Sequence, residues 1–171
     1  ITDLSAWCNI AFDDNSSNPL QYGATLYLNN KELTELAIPE EITEIKAHAF
    51  HGCSSLTSVT MGASVTSIGE SSFYDCSSLF SIEISTSVNK IGQQAFYGCS
   101  SLTTINIPDG VTEIGWSTFF DCSSLTTINI PASVTKIGIS AFYNCSSLTT
   151  INIPDGVTSI ESATFTDCSS L

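Results

Sequence analysis

The chain has 171 residues and a mass of 18.2 kDa, room for one ordinary domain. Hydrophobic residues make up 42 %, enough to bury a core, while 17 acidic residues against four lysines leave a net charge of −13. An acidic, arginine-free surface argues against nucleic acid and against anionic membranes as partners, and no apolar run approaches the roughly 18 residues of a membrane span.

Residues 1–32 carry scattered apolar groups, Trp7, Ile10, Phe12, Leu20, Leu26 and Leu28, enough for a modified coil or two. Leu26-Tyr27-Leu28 alternates like a strand, and Asp13-Asp14-Asn15-Ser16-Ser17-Asn18-Pro19 reads as a surface loop. From Leu33 onward the chain repeats. Leucine recurs from Leu33 to Leu171, phenylalanine from Phe50 to Phe165 and cysteine from Cys53 to Cys168, each every 23 residues. Residues 33–171 are therefore six regular 23-residue units plus the first residue of a seventh, and the expected fold is a solenoid. With Ile1 in mid-coil and Leu171 opening a coil, the sequence reads as a fragment of a longer protein without a polar cap.

Within the unit 102–124, Leu102, Ile105 and Ile107 stand at positions one, four and six, so a short strand crosses there with Asn106 facing outward. Pro108 and the Asp109-Gly110 turn signal stop it. Val111 and Ile114 form a second apolar patch ended by Gly115. Phe119 and Cys122 follow at a spacing that suits one helical turn. Each unit is then one coil, with a strand on one side and a short helical or extended return on the other. A single coil cannot bury its own apolar face, but stacked coils can, in parallel sheet at about 4.8 Å spacing.

The core I-P-x-x-V-T-x-I-G followed by A-F-x-x-C-S-S-L, seen in Ile137-Gly138, Ala141-Phe142, Cys145-Ser146-Ser147 and Leu148, closely resembles the BspA-like, or Treponema-type, leucine-rich repeat. Trp7-Cys8, Asn18-Pro19-Leu20 and Leu26-Tyr27-Leu28-Asn29 look like a longer, irregular variant repeat over 1–32. Departures are mild: Met61-Gly62 replaces the Ile-Pro step, Ser85 replaces proline and Glu161 replaces glycine. The resemblance implies a leucine-rich repeat solenoid, a curved right-handed coil with a parallel sheet. It further implies a secreted or cell-surface location and adhesin-like binding to host matrix proteins or other microbes. The family pattern contains no catalytic residue, so no enzyme activity, cofactor or metal is expected.

The residues themselves agree. The cysteine ladder has no C-x₂₋₄-C metal spacing, and equivalent coils place thiols too far apart and too parallel for disulfides. Cys8, outside the ladder, is the one candidate for a reactive thiol. His48 and His51 read as surface histidines, since their positions vary among polar and aromatic residues. No serine has a histidine and carboxylate to activate it. Lys90, Glu113 and Lys136 stack on consecutive coils with alternating sign.

Three surfaces remain as partner candidates. Position fifteen supplies Trp116 and Ile139, and position nineteen supplies Phe120 and Tyr143; together they form an exposed apolar patch, or position nineteen instead seals one coil against the next. Asn106 and Asn129 face outward from the strands as a flat, hydrogen-bonding sheet. Glu40, Glu41 and Glu44 belong to an acidic cluster, either a solvated face or a docking face for a basic partner. A non-catalytic protein-binding module is the expected function. A structural spacer, favoured by the near-identity of units 102–124 and 125–147, and a carbohydrate-binding module are the alternatives.

Overall fold

The computed structural model describes residues 1–171. The 23-residue unit winds into one coil of a parallel-strand solenoid, with two short strands per coil. Front strands occupy positions three to five: Glu35–Ala37, Ser58–Thr60, Ser81–Glu83, Thr104–Asn106 and Thr127–Asn129, with Thr150–Ile151 after them. Flank strands occupy positions twelve and thirteen: Glu44–Ile45, Ser67–Ile68, Lys90–Ile91, Glu113–Ile114 and Lys136–Ile137. Pairing is parallel and keeps like with like, as in Ile105↔Ile128↔Ile151 and Ile45↔Ile68↔Ile91. A one-residue slip would expose every inward isoleucine, so the repeat itself fixes the register.

The return segment departs from the single helical turn expected of it. Turn bonds from each residue to the third one back, such as Ala95 to Gly92, Tyr97 to Gln94 and Cys99 to Phe96, alternate with bonds to the next coil. Gln94 donates to Trp116, Phe96 to Thr118 and Gly98 to Phe120, at 3.0, 3.0 and 2.8 Å. Two left-handed residues per coil produce this zigzag. Position twenty is Gly52, Asp75, Gly98, Asp121, Asn144 and Asp167, the residue types that tolerate positive φ best. Position sixteen is left-handed too, from Ser117 at φ 49° to His48 at φ 59°. A helix cannot continue through either point. The return is thus a third hydrogen-bonded side of the solenoid.

The interior is built of columns. Phe50, Phe73, Phe96, Phe119 and Phe142 are fully buried and stack at 5.5–5.7 Å, nearly parallel, with the half-buried Phe165 completing the column. Leucine, isoleucine and valine columns fill the space between them and the strands. Each cysteine from Cys76 to Cys145 donates its S–H to the phenylalanine carbonyl of the coil before, at 3.2 Å. All seven cysteines are free.

Residues 1–32 close over the first coil. Asp3 caps the short helix Leu4–Cys8, and 3-10 turns follow at Asn15–Ser17 and Pro19–Tyr22. Strands Tyr27–Leu28 and Lys31–Glu32 form a hairpin whose turn, Asn29-Asn30, holds φ of 52° and 63°. Asparagine suits that primed two-residue turn because it tolerates the left-handed region. Trp7 donates through Nε1 to the Ala49 carbonyl at 2.9 Å, and the fully buried Asn18 donates to the His48 carbonyl at 2.6 Å. The end read as an uncapped coil is therefore covered by its own chain.

Both strand ladders break at the same step, and the flank ladder does not extend beyond Lys136–Ile137. Ser81–Glu83 does not pair with Thr104–Asn106, nor Lys90–Ile91 with Glu113–Ile114. The return-side bonds and the phenylalanine column cross that step unbroken.

Candidate functional site

Trp116 and Ile139 stand at position fifteen of consecutive coils, just after Gly115 and Gly138, and are 45 % and 48 % exposed. Glycine at position fourteen answers a close approach of the backbone at Gly69, Gly92 and Gly138, though not at Gly115, where the nearest atom is the Gln93 side chain at 3.2 Å. A Cβ at Gly92 would lie 2.4 Å from the Glu70 nitrogen, and one at Gly138 would lie 2.9 Å from the Gly115 carbonyl carbon.

Position nineteen takes the other course. Tyr74, Tyr97, Phe120 and Tyr143 are half-buried and stack face to face at 4.3–4.6 Å, with His51 at the head of the column. The four residues of the expected patch thus divide: Trp116 and Ile139 project, whereas Phe120 and Tyr143 seal the return side. His51 corrects the surface reading of the histidines. It is 4 % exposed, and burial with the neighbouring His48 depresses its pKa to about 4.

Carboxylates border the aromatic column. Asp75 leans into the space left by the missing side chain of Gly98, and burial together with Asp121 raises its pKa. Asp121 accepts from Asn144 at 2.8 Å. Burial and the neighbouring Tyr97 push the Tyr74 hydroxyl up, and the Asp167 carboxylate does the same to Tyr143.

On the front face the Asn129 amide donates to Asn106 at 2.9 Å, so part of that hydrogen-bonding capacity is turned along the solenoid. Glu40, Glu41 and Glu44 are exposed, but two of them are engaged: Glu41 accepts from Ser5, which lowers its pKa, and Glu44 pairs with Lys46. Of the expected charge stack, Lys136 and Glu113 meet at 2.8 Å while Lys90, across the broken ladder, has no partner. Cys8 is fully buried, and burial with Glu41 nearby raises its thiol to about 11, which removes it as a reactive nucleophile.

One exposed group escaped notice in the sequence. Phe80 is 53 % exposed at position two, where the other regular coils have threonine, and that substitution was the available signal. A Thr hydroxyl there clasps the coil before it, as Thr126 does to Thr103 at 3.1 Å.

A family model described as the BspA type leucine rich repeat region matches residues 22–146 and 89–171, in six copies. The solenoid is similar to that of the T. pallidum leucine rich repeat protein, at 33 % identity and a TM-score of 0.79 over 81 % of this chain and 67 % of that one. A leucine rich cell surface protein from Faecalibacterium prausnitzii also matches at 33 % identity, with a TM-score of 0.62 over 81 % of this chain and 46 % of that one. A leucine-rich repeat protein from Bacteroides ovatus matches at 32 % identity and a TM-score of 0.59, over 74 % and 39 % of the respective chains. The chain spans about two thirds of the first and less than half of the other two. No curated protein matches.

Proposed function

The chain belongs to the BspA-type leucine-rich repeat family, and from that premise we propose that it is a non-catalytic, adhesin-like module of a secreted or cell-surface protein, binding a protein of a host matrix or of another microbe. Repeat modules of this type are generally scaffolds for protein interaction. The observation that carries the reading is the projection of Trp116 and Ile139 from equivalent positions of consecutive coils, beside a buried phenylalanine column and a half-buried, stacked Tyr74–Tyr143 column. Large apolar groups held outward on a rigid frame lose little entropy on binding, and tryptophan is the side chain most enriched at contact hot spots.

The test is biolayer interferometry of the chain against matrix proteins, mucin and microbial surface proteins. A saturable partner is expected, and Trp116→Ala with Ile139→Ala should weaken it by tenfold or more. Binding that the double variant leaves intact would move the contact elsewhere, to Asn106 and Asn129 or to Glu40, Glu41 and Glu44. A second reading, a spacer that holds another domain at a distance, is favoured by the sameness of units 102–124 and 125–147. Folded protein with no partner in the screen would support it.

A further inference from the structure

Between most neighbouring coils the flank is stitched by two repeated bonds. The position-eleven amide donates one coil back, as Asn89 does to Thr66 and Thr135 to Thr112. The position-fourteen glycine donates to isoleucine, as Gly92 does to Ile68 and Gly138 to Ile114. Where the ladder breaks, the amides of Thr112 and Gly115 make no hydrogen bond within the protein, and the carbonyls of Asn89 and Ile91 that would receive them accept none.

A polar crevice of 230 Å³ lies over those groups, with Ile91 its single apolar lining residue and Lys90, Gln93 and Glu113 on its walls. It runs on into a hollow of 360 Å³ over Gly69, which shares Lys90, Gly92 and Gln93 with it. The result is a trough along the solenoid, floored by glycines. Trp116 occupies the position next to Gln93 on the following coil and is exposed.

We propose that this trough binds a segment of linear, uncharged oligosaccharide. Backbone donors and acceptors left free of intramolecular partners suit a ligand that does both in place of water. Sugar hydroxyls donate and accept from one atom, and the amide of Gln93 matches them in both roles. An extended peptide fits less well, because the trough offers no apolar pockets for alternate side chains and no free strand edge long enough to extend. Trp116 lines neither hollow but stands exposed one coil beyond Gln93, where its indole offers an apolar platform to the C–H face of a pyranose ring that extends past the crevice. At 230 Å³ the crevice is smaller than the roughly 300–1,000 Å³ of drug-sized pockets, so it seats one ring, and the adjoining hollow seats the next. Binding is therefore weak.

The site is separate from the protein contact proposed above except at Trp116, and the test is designed around that overlap. The ¹⁵N-labelled chain is titrated with hexasaccharides of glucose, mannose, xylose and N-acetylglucosamine. The expected result is a saturable shift of the Thr112, Gly115 and Gln93 amides with at least one of them. Gln93→Ala and Trp116→Ala should each weaken it about tenfold, while Ile139→Ala leaves it unchanged. No saturable shift with any neutral hexasaccharide overturns the proposal. So does a stronger shift of the same amides with an extended serine-rich peptide, or with an acidic oligosaccharide drawn to Lys90 alone.

Discussion

Each ladder cysteine is small enough for a column of close coils, apolar enough to be buried there, and still able to give one weak hydrogen bond to a phenylalanine carbonyl. The same burial decides how the thiols titrate: Cys53 is raised to about 12 from an ordinary 9.0, and Cys76, Cys99 and Cys122 are raised well above 9.0. A raised thiol holds its proton in the folded state after the unfolded chain has lost it. Its contribution to stability is thus complete below pH 9 and is lost as pH climbs toward 12. Urea midpoints measured from pH 8 to 11 should fall steadily above 9, and a thiol reagent at pH 8 should leave Cys76, Cys99 and Cys122 unlabelled until the chain unfolds. His51 works from the acid side. Its depressed pKa means stability is complete above 6.5 and is lost as pH falls through about 4. Replacing it with phenylalanine, the residue that Phe120 shows the column accepts, should flatten that acid slope, a difference on the order of 2 kcal/mol at pH 4. An unchanged slope in His51→Phe would place the acid sensitivity elsewhere. The burial of His51 was hidden in the sequence because its position takes His, Tyr, Phe and Thr, and such variety looks like surface until the stacked column is seen.

Within the coil, the distances that matter most are those with no room for a side chain. Gly92→Ala would drive a methyl group into the Glu70 backbone at 2.4 Å, so the coils must part. Gly156→Ala would meet the Thr135 methyl at 3.2 Å, the end of a side chain, with backbone no nearer than 3.5 Å. Thermal or chemical unfolding should show Gly92→Ala destabilised by about 1–3 kcal/mol and Gly156→Ala nearly unchanged. Equal losses would mean that the glycines serve turn conformation rather than close approach. The strands at positions three to five and the inward columns were legible from the 23-residue period alone, because side-chain alternation and repeat length leave one register. The return was not. Phe119 and Cys122 have helical spacing, but left-handed residues at positions sixteen and twenty forbid a helix, and serine at Ser117 gives no warning of positive φ. The aspartates and glycines of position twenty were the fainter clue. Of the candidate contact residues, Trp116 and Ile139 could be placed from the repeat. The division between them and Phe120 and Tyr143 required knowing which way a zigzag backbone turns.

At the scale of the whole molecule each coil touches only its neighbours, so stability is a sum of coils and of the contacts between them. The N-terminal segment supplies one such contact against the first regular coil. Asn18 is fully buried and satisfies the His48 carbonyl, and Trp7 satisfies that of Ala49. Asn18→Ala leaves the buried Leu20 amide without its acceptor and the His48 carbonyl with only the His51 amide, and should cost about 1–3 kcal/mol, with the amides of residues 33–55 losing hydrogen-exchange protection before those of 102–147. Uniform loss along the chain would show that the coils unfold as one unit. Removing residues 1–32 altogether should expose the leucine and phenylalanine columns end-on, and light scattering should then report self-association. These end contacts could not be read from the sequence, since Trp7 and Asn18 lie outside the repeat and only their distance to Ala49 and His48 gives them meaning.

Hydrogen bonds that run from coil to coil also lie along the solenoid axis, and that decides how the protein bears tension. Pulled from its two ends, such a stack does not shear all its bonds together; it opens like a zip, one coil after another. Each event frees 23 residues, about 70–80 Å of extended chain. Force traces should therefore show evenly spaced, shallow peaks. The earliest should come from the step between Ile91 and Glu113, where neither strand ladder is paired and the return side is helped only by the Thr103 hydroxyl on the Phe80 carbonyl at 3.5 Å and the Ser124 amide on the Ser100 carbonyl at 3.2 Å.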